Sequence, residues 1–311
     1  MVRTTNHKAK LVTAVFLLFA ATSARADTSV LFIGNSFTFG WGSAARYYRS
    51  DTVTDLNHDG IGGMPALFKS FADQAGLDYD VYVETRPGAG IDYHLENKLG
   101  VIGRRGWDAV VMHGYSTLDP DAPRDASKLI STSRQMAEFL RTRNSDVAVY
   151  LLATWSRADQ TYEADGAWAG EPIAAMAHDV RAAYDMAAVN ANAEAVIPVG
   201  EAWLRAIDAG VADANPYDGI EPGMLDLWSY DHYHASIYGY YLEALVVFAA
   251  LTGRDPRSLG ETECSAFELG LSRPQVSALQ QAAWEQVSRD YQIEAAPLQS
   301  SAAGDVQRCV A

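Results

Sequence analysis

Two short stretches near opposite ends of the chain carry residue types that together can do nucleophilic chemistry. Gly34-Asn35-Ser36 closes the apolar run Ser29-Val30-Leu31-Phe32-Ile33, and Asp231-His232-Tyr233-His234 lies far downstream. A serine just after a buried strand is a candidate nucleophile, and an acid three residues before a histidine supplies a general base with its orienting group. Gly34 gives the backbone freedom for a sharp strand-to-helix turn. Such a turn presents the hydroxyl at the carboxyl edge of a parallel sheet, where open α/β folds place their ligands. In the downstream stretch a turn brings residues i and i+3 together while i and i+1 point apart, so His234 rather than His232 is the expected base and Asp231 its orienter. Such a base works when neutral, so activity should rise with pH through an imidazole titration near ~6.5, with Asp231 expected to raise that value. Each stretch also has an ordinary reading: Gly-Asn-Ser is a common turn tripeptide, and an acidic residue favours a helix N-terminus.

Val30-Leu31-Phe32-Ile33-Gly34-Asn35-Ser36-Phe37-Thr38 resembles the first sequence block of the SGNH (GDSL-type) hydrolases in a Gly-Asn-Ser variant, and Asp231-x-x-His234 resembles their last block. The resemblance implies a three-layer α/β/α sandwich around a central, mostly parallel, five-stranded sheet of flavodoxin-like type. It also implies a serine esterase mechanism without metal or cofactor. The oxyanion hole would combine the backbone N–H of Ser36, a second-block glycine and a third-block asparagine. Arg86-Pro87-Gly88-Ala89-Gly90-Ile91 offers the glycine amides, Gly88 as first choice and Gly90 as second. The third block departs from the pattern: after Trp107-Asp108-Ala109-Val110-Val111-Met112 comes His113-Gly114-Tyr115-Ser116-Thr117, with no asparagine. His113 and Ser116 are the side-chain donors available instead. Asn35, Trp155 and Trp228 are the candidate substrate contacts, within a wider aromatic cluster of Tyr230, Tyr233, Tyr238, Tyr240 and Tyr241. The implied function is an exported serine ester hydrolase acting on a carboxylic ester, with acetylated carbohydrate as one candidate substrate and neither acyl length nor alcohol fixed by the sequence. An acyltransferase of the same fold and an inactive carbohydrate-binding relative are the alternatives, the latter because of the missing asparagine.

The elements that must position these residues follow from hydrophobic patterning. Continuously apolar runs at 29–34, 80–84, 108–113, 147–154 and 195–200 predict strands buried on both faces. Helical spacing predicts helices near 65–75, 91–103, 124–143, 172–192, 235–251 and 273–291. This alternation is the signature of a doubly wound α/β domain, expected to span 27–311 with a helical extension from about 255. The helix after the candidate base should pack the last block onto the sheet.

Composition bounds the rest. Arg3, Lys8 and Lys10, the apolar segment 11–21 and Ala24-Arg25-Ala26 read as a leader peptide cleaved after residue 26, hence an exported protein. The apolar segment is shorter than the ~20 residues a transmembrane helix needs, so no membrane insertion is expected after cleavage. The whole chain carries a formal charge of −15; removing four of its 24 basic residues and none of its 39 acidic ones leaves −19. Such a surface repels nucleic acid. The two cysteines, Cys264 and Cys309, are expected to pair in an oxidising compartment. Asp55-Leu56-Asn57-His58-Asp59-Gly60 begins like a calcium loop, but Ala66 stands where a bidentate glutamate is needed, so a polar loop beside the cleft is expected. The seven histidines show no zinc spacing.

Overall fold

The computed structural model describes residues 27–291 together with Met1, Ile293 and Ala295. The predicted leader, apart from Met1, and Cys309 of the predicted disulfide lie outside these residues. Six strands form one sheet: β1 (Thr28–Gly34), β2 (Thr54–Asp55), β3 (Tyr79–Thr85), β4 (Ala109–Met112), β5 (Ala148–Ala153) and β6 (Ala195–Pro198). Their order is β2-β3-β1-β4-β5-β6, and every pairing is parallel. The expectation of five strands is therefore corrected to six. The addition is β2, a two-residue edge strand paired with β3 through Thr54 and Asp55, too short to leave a pattern in the sequence.

The helices are α1 (Gly63–Gln74), α2 (Ile91–Asn97), α3 (Leu99–Ile102), α4 (Ser127–Arg141), α5 (Ala158–Tyr162), α6 (Ile173–Ala191), α7 (Val199–Asp208), α8 (Ile237–Thr252), α9 (Cys264–Glu268) and α10 (Arg273–Asp290). The predicted helix 91–103 is two, broken at Lys98. Side chains alternate across a strand, and β1 shows what that does here. Val30 and Phe32 pack into a core with α1, α7, α8 and α10, while Leu31 and Ile33 pack into a second core with α2, α4 and α6. All four residues are at most 1% exposed, which makes β1 the centre of a three-layer sandwich. Among the described residues no helix is long and apolar enough to cross a membrane.

Helix α8 follows the last block, as predicted. Ser236 caps it by accepting hydrogen bonds from the N–H groups of Tyr238 and Gly239, and the left-handed Gly253 ends it. From Gly239 to Ala249 it is buried all round, which anchors the segment carrying Asp231 and His234 to the sheet. The predicted strand 195–200 ends instead at Pro198, where α7 begins. Helix α10 carries a capping box, Ser272 with Gln275, and packs on α7 and α8.

Candidate active site

Strand β1 ends in a turn whose backbone is held at every carbonyl. The Gly34 carbonyl accepts from the Arg86 N–H at 3.1 Å and faces His94 Nε2 at 3.0 Å. The Asn35 carbonyl accepts the N–H groups of Thr38 and Phe39, both at 3.1 Å. The Ser36 carbonyl accepts the Trp41 N–H and the Tyr240 hydroxyl, each at 3.1 Å. A side chain at position 34 is excluded, because a β-carbon there would lie 2.1 Å from Thr38 Oγ1 and 2.5 Å from His113 Nε2. Gly34 is thus required by close approach. Ser36 sits in this turn at 6% exposure.

Asn35 ties three segments together. Its amide donates to the Ala89 carbonyl at 2.9 Å and the Gly114 carbonyl at 3.3 Å, and its Oδ1 accepts the Phe37 N–H at 3.1 Å. Asn35, expected at the substrate, thus uses its polar atoms to hold the loops after β3 and β4 against the serine turn.

The last block folds as a tight turn. Asp231 Oδ1 accepts the N–H groups of Tyr233 and His234, and Oδ2 lies 2.6 Å from His234 Nδ1. An ionised carboxylate only accepts, so Nδ1 carries the proton and Nε2 is left with a free lone pair. Nε2 is buried and has no hydrogen-bond partner among the described residues. The His234 ring packs edge-on against Phe37, the residue after Ser36, with centroids 5.7 Å apart, and lies 6.2 Å from Trp41. The serine turn and the His–Asp pair are therefore neighbours. His232 points elsewhere. It adopts a left-handed backbone, φ 52°, and its ring lies 4.3 Å from that of Tyr217.

Burial opposes ionisation of Asp231, but the hydrogen bonds from His234 outweigh it and hold the carboxyl below its ordinary value. For His234 burial wins: it lowers the imidazole below 6.5 against the opposing pull of Asp231. The expected upward shift is thus corrected to a downward one, because desolvation of a buried imidazolium exceeds what one carboxylate returns. The sign for activity follows. A base that must be unprotonated gains activity as pH rises through its folded-state titration, so the acid limb of kcat/KM is expected to have its midpoint below ~6.5. A pH–rate profile on a neutral ester checks this; a midpoint above that value contradicts it.

The remaining sequence candidates divide. Gly88 is exposed, with a left-handed φ of 66° and open space where a β-carbon would stand, and lies in the loop held by Asn35. Gly90 is buried, and a β-carbon there would come within 2.3 Å of the Tyr115 ring. His113 is corrected as an oxyanion donor: it is 2% exposed, with Nε2 engaged by Thr38 Oγ1 at 2.8 Å and Nδ1 by the Gly114 carbonyl at 3.0 Å. Burial keeps it neutral, its pKa lowered to about 4. Ser116 is buried, its Oγ accepting from Arg157 Nη1 at 3.3 Å. Trp155 and Trp228, expected at the substrate, are 0% and 2% exposed and belong to the core. Trp155 is sandwiched between Phe37 at 4.1 Å and Trp203 at 4.8 Å, so it supports the serine turn from below. Tyr240 and Tyr241 are equally buried, whereas Tyr230 is 78% exposed.

Two residues beside the site escaped the sequence. Trp41 is half-exposed next to His234, and the Arg46 guanidinium lies 4.7 Å over its ring. Arg157, four residues past β5, stacks 3.5 Å over the Tyr233 ring, pairs with Asp159 and reaches Ser116. Among the described residues no group of three or more His, Cys, Asp or Glu is placed to hold a metal ion. In the 55–60 loop, Asp55 Oδ2 is occupied by the N–H groups of Asp59 and Ile61, at 2.8 and 3.1 Å.

A scan against protein-family models and a search of curated proteins found no match. Solved structures do resemble the chain. A DUF4886 family protein from Bacteroides uniformis superposes with a TM-score of 0.58 at 16% identity, over 87% of this chain and 97% of its own. A protein named as a GDSL-like lipase from Parabacteroides merdae gives 0.50 at 16% identity, over 73% and 96%. The acetylxylan esterase Axe2 from Geobacillus stearothermophilus gives 0.50 at 13% identity, over 72% and 94%. At such identities the likeness is one of fold: an α/β sandwich around a parallel sheet, shared with a protein named as a GDSL-like lipase and with an acetylxylan esterase.

Proposed function

We propose that the chain is a serine ester hydrolase. The observation that carries the reading is His234: Nδ1 bound to Asp231 at 2.6 Å, Nε2 buried and unpartnered, and the ring packed on the residue that follows Ser36. Ser36 Oγ attacks the ester carbonyl while His234 Nε2 takes its proton, and Asp231 stabilises the imidazolium that forms. His234 then returns the proton to the departing alkoxide. Water attacks the acyl-enzyme with His234 again as base, releasing the acid and restoring Ser36.

The oxyanion of each tetrahedral intermediate needs donors fixed in advance. The Ser36 N–H is one, and the two hydrogen bonds accepted by the Asn35 carbonyl polarise the peptide to which it belongs. The Gly88 N–H, in the loop fastened by Asn35, is the second. Ser116 replaces the missing asparagine: Arg157 occupies a lone pair of its oxygen, which leaves the hydroxyl proton to be donated. Ser116→Ala is expected to cost about 1.5–3 kcal/mol, the worth of a hydrogen bond to a charged group. In kcat that is roughly 10- to 100-fold with KM little changed. Steady-state kinetics check it; an unaltered kcat removes Ser116 from the hole.

The acid is read as acetate and the alcohol as a carbohydrate. Trp41 beside His234, with the exposed Tyr230 next to Asp231, provides aromatic faces at the mouth, and the acetylxylan esterase shares the fold. An exported enzyme would meet such polymers. A panel of p-nitrophenyl esters from acetate to palmitate, with acetylated xylan and other acetylated sugars, tests this. The expected result is turnover that favours acetate and releases acetate from the carbohydrate. Binding of the sugars without turnover would make the chain a binding protein instead.

A further inference from the structure

Behind the serine turn lies a second histidine–carboxylate pair that the mechanism above does not use. Glu84, in β3, and His94, in α2, are both 0% exposed, and His94 Nδ1 contacts Glu84 Oε2. On its other side His94 Nε2 lies 3.0 Å from the Gly34 carbonyl oxygen, two residues before Ser36. A carbonyl only accepts, so Nε2 carries a proton. Glu84 Oε1 faces two donors, Asn57 Nδ2 at 3.2 Å and Lys98 Nζ at 3.3 Å, as an ionised carboxylate does, and the charge on His94 and Lys98 holds it below its ordinary value although burial opposes this.

We infer that His94, paired with Glu84, acts as a positioning residue by fixing the Gly34 carbonyl and hence the turn that presents Ser36. The role rests on Ser36 being the nucleophile. Gly34 is where the holding point matters: its carbonyl also accepts from Arg86, so one oxygen joins the serine turn, the Gly88 loop and α2. The charged or titratable groups that face His94 are Glu84 from β3, Lys98 beyond α2 and His113 beyond β4. His113 is neutral and takes up no competing charge, and part of its downward shift comes from His94. A buried pair of this kind contributes little net stability and is often replaceable by uncharged residues, whereas removing one partner strands a buried charge. Its value here is geometric.

Two measurements test the inference. In protein labelled with ¹⁵N-histidine, with the His94 signals assigned by comparison with a His94→Gln variant, Nε2 should carry a proton at pH 8, since the Gly34 carbonyl it faces only accepts. A bare Nε2 at that pH overturns the hydrogen bond to Gly34. The double variant Glu84→Gln/His94→Gln removes both partners at once and strands no buried carboxylate. It should fold, yet exchange the Phe37, Thr38 and Phe39 amides at least about 10-fold faster while the α8 amides stay unchanged; unaltered exchange at the turn overturns the positioning role. Its kcat for p-nitrophenyl acetate should fall about 10-fold or more with KM within about twofold. The exchange and nitrogen readouts need no turnover, so an inert wild-type protein would refute the hydrolase reading without touching this one.

Discussion

Replacing His234 by alanine is expected to lower kcat for ester hydrolysis by about 10⁴–10⁶-fold, as removal of a triad histidine does, whereas His232→Ala stays within a few-fold of wild type. The two residues are sequence neighbours of the same type, so composition cannot separate them and geometry must. His234 has a 2.6 Å contact with Asp231 and a lone pair left over, whereas His232 has turned onto Tyr217 and faces neither. Asp231→Asn is expected to fall near the His234 variant, about 10⁴-fold down, because an amide can no longer stabilise the imidazolium. Its acid limb should move further below that of wild type, since the carboxylate is the force that opposes desolvation of the ring. Kinetics on all three variants, with circular dichroism to show that each is folded, check the order. Equal inactivity of His232→Ala and His234→Ala would mean that the register of the last block is misread.

The second large effect is at Ser36. Ser36→Ala should remove measurable turnover, a loss on the order of 10⁶-fold, because the proposed mechanism has no other nucleophile: the turn's other hydroxyl, Thr38 Oγ1, faces His113. Thermal stability should be nearly untouched. The turn is held by its carbonyls and by Asn35, with no hydrogen bond of the Ser36 hydroxyl among those that fix it. A substitution that opens no core cavity stays typically within about 0.5 kcal/mol. A folded variant that still hydrolyses the ester at more than about a thousandth of the wild-type rate contradicts the assignment. The combination of lost activity and kept stability separates a catalytic serine from a structural one.

What was legible in the sequence is what is encoded locally. The apolar runs of β1, β3, β4 and β5 announce buried parallel strands, and the Gly-Asn-Ser turn and the Asp-x-x-His turn each fit within a few residues. Both halves of the proposed triad could therefore be named from the sequence. Direction was harder to read. Trp155 and Trp228 lie just past strands or beside the last block, as expected, but position along a strand end does not say which way a ring faces, and both face the core. His113 failed for a related reason: the type was right for a donor, yet its ring turns inward to Thr38. Pro198 marks a case in which the signal was continuous and the structure was not, since the apolar run at 195–199 crosses from β6 into α7 without a change of pattern. Most remote of all were the long-range pairs. Arg157 meets Ser116 across 41 residues, and Glu84 meets His94 only once the loop after β3 has turned the chain into α2, so neither has a local signature.

The central claim is that one hydroxyl, Ser36 Oγ, is made nucleophilic by His234. Treating the folded protein at pH 8 with a fluorophosphonate and mapping the adduct by peptide mass spectrometry tests it without knowledge of the natural ester. The account predicts one stoichiometric adduct, on Ser36, that is absent from Ser36→Ala and forms far more slowly in His234→Ala. An adduct on Ser116 or Ser156 instead, or a folded protein that takes up no phosphonate at all, would contradict it.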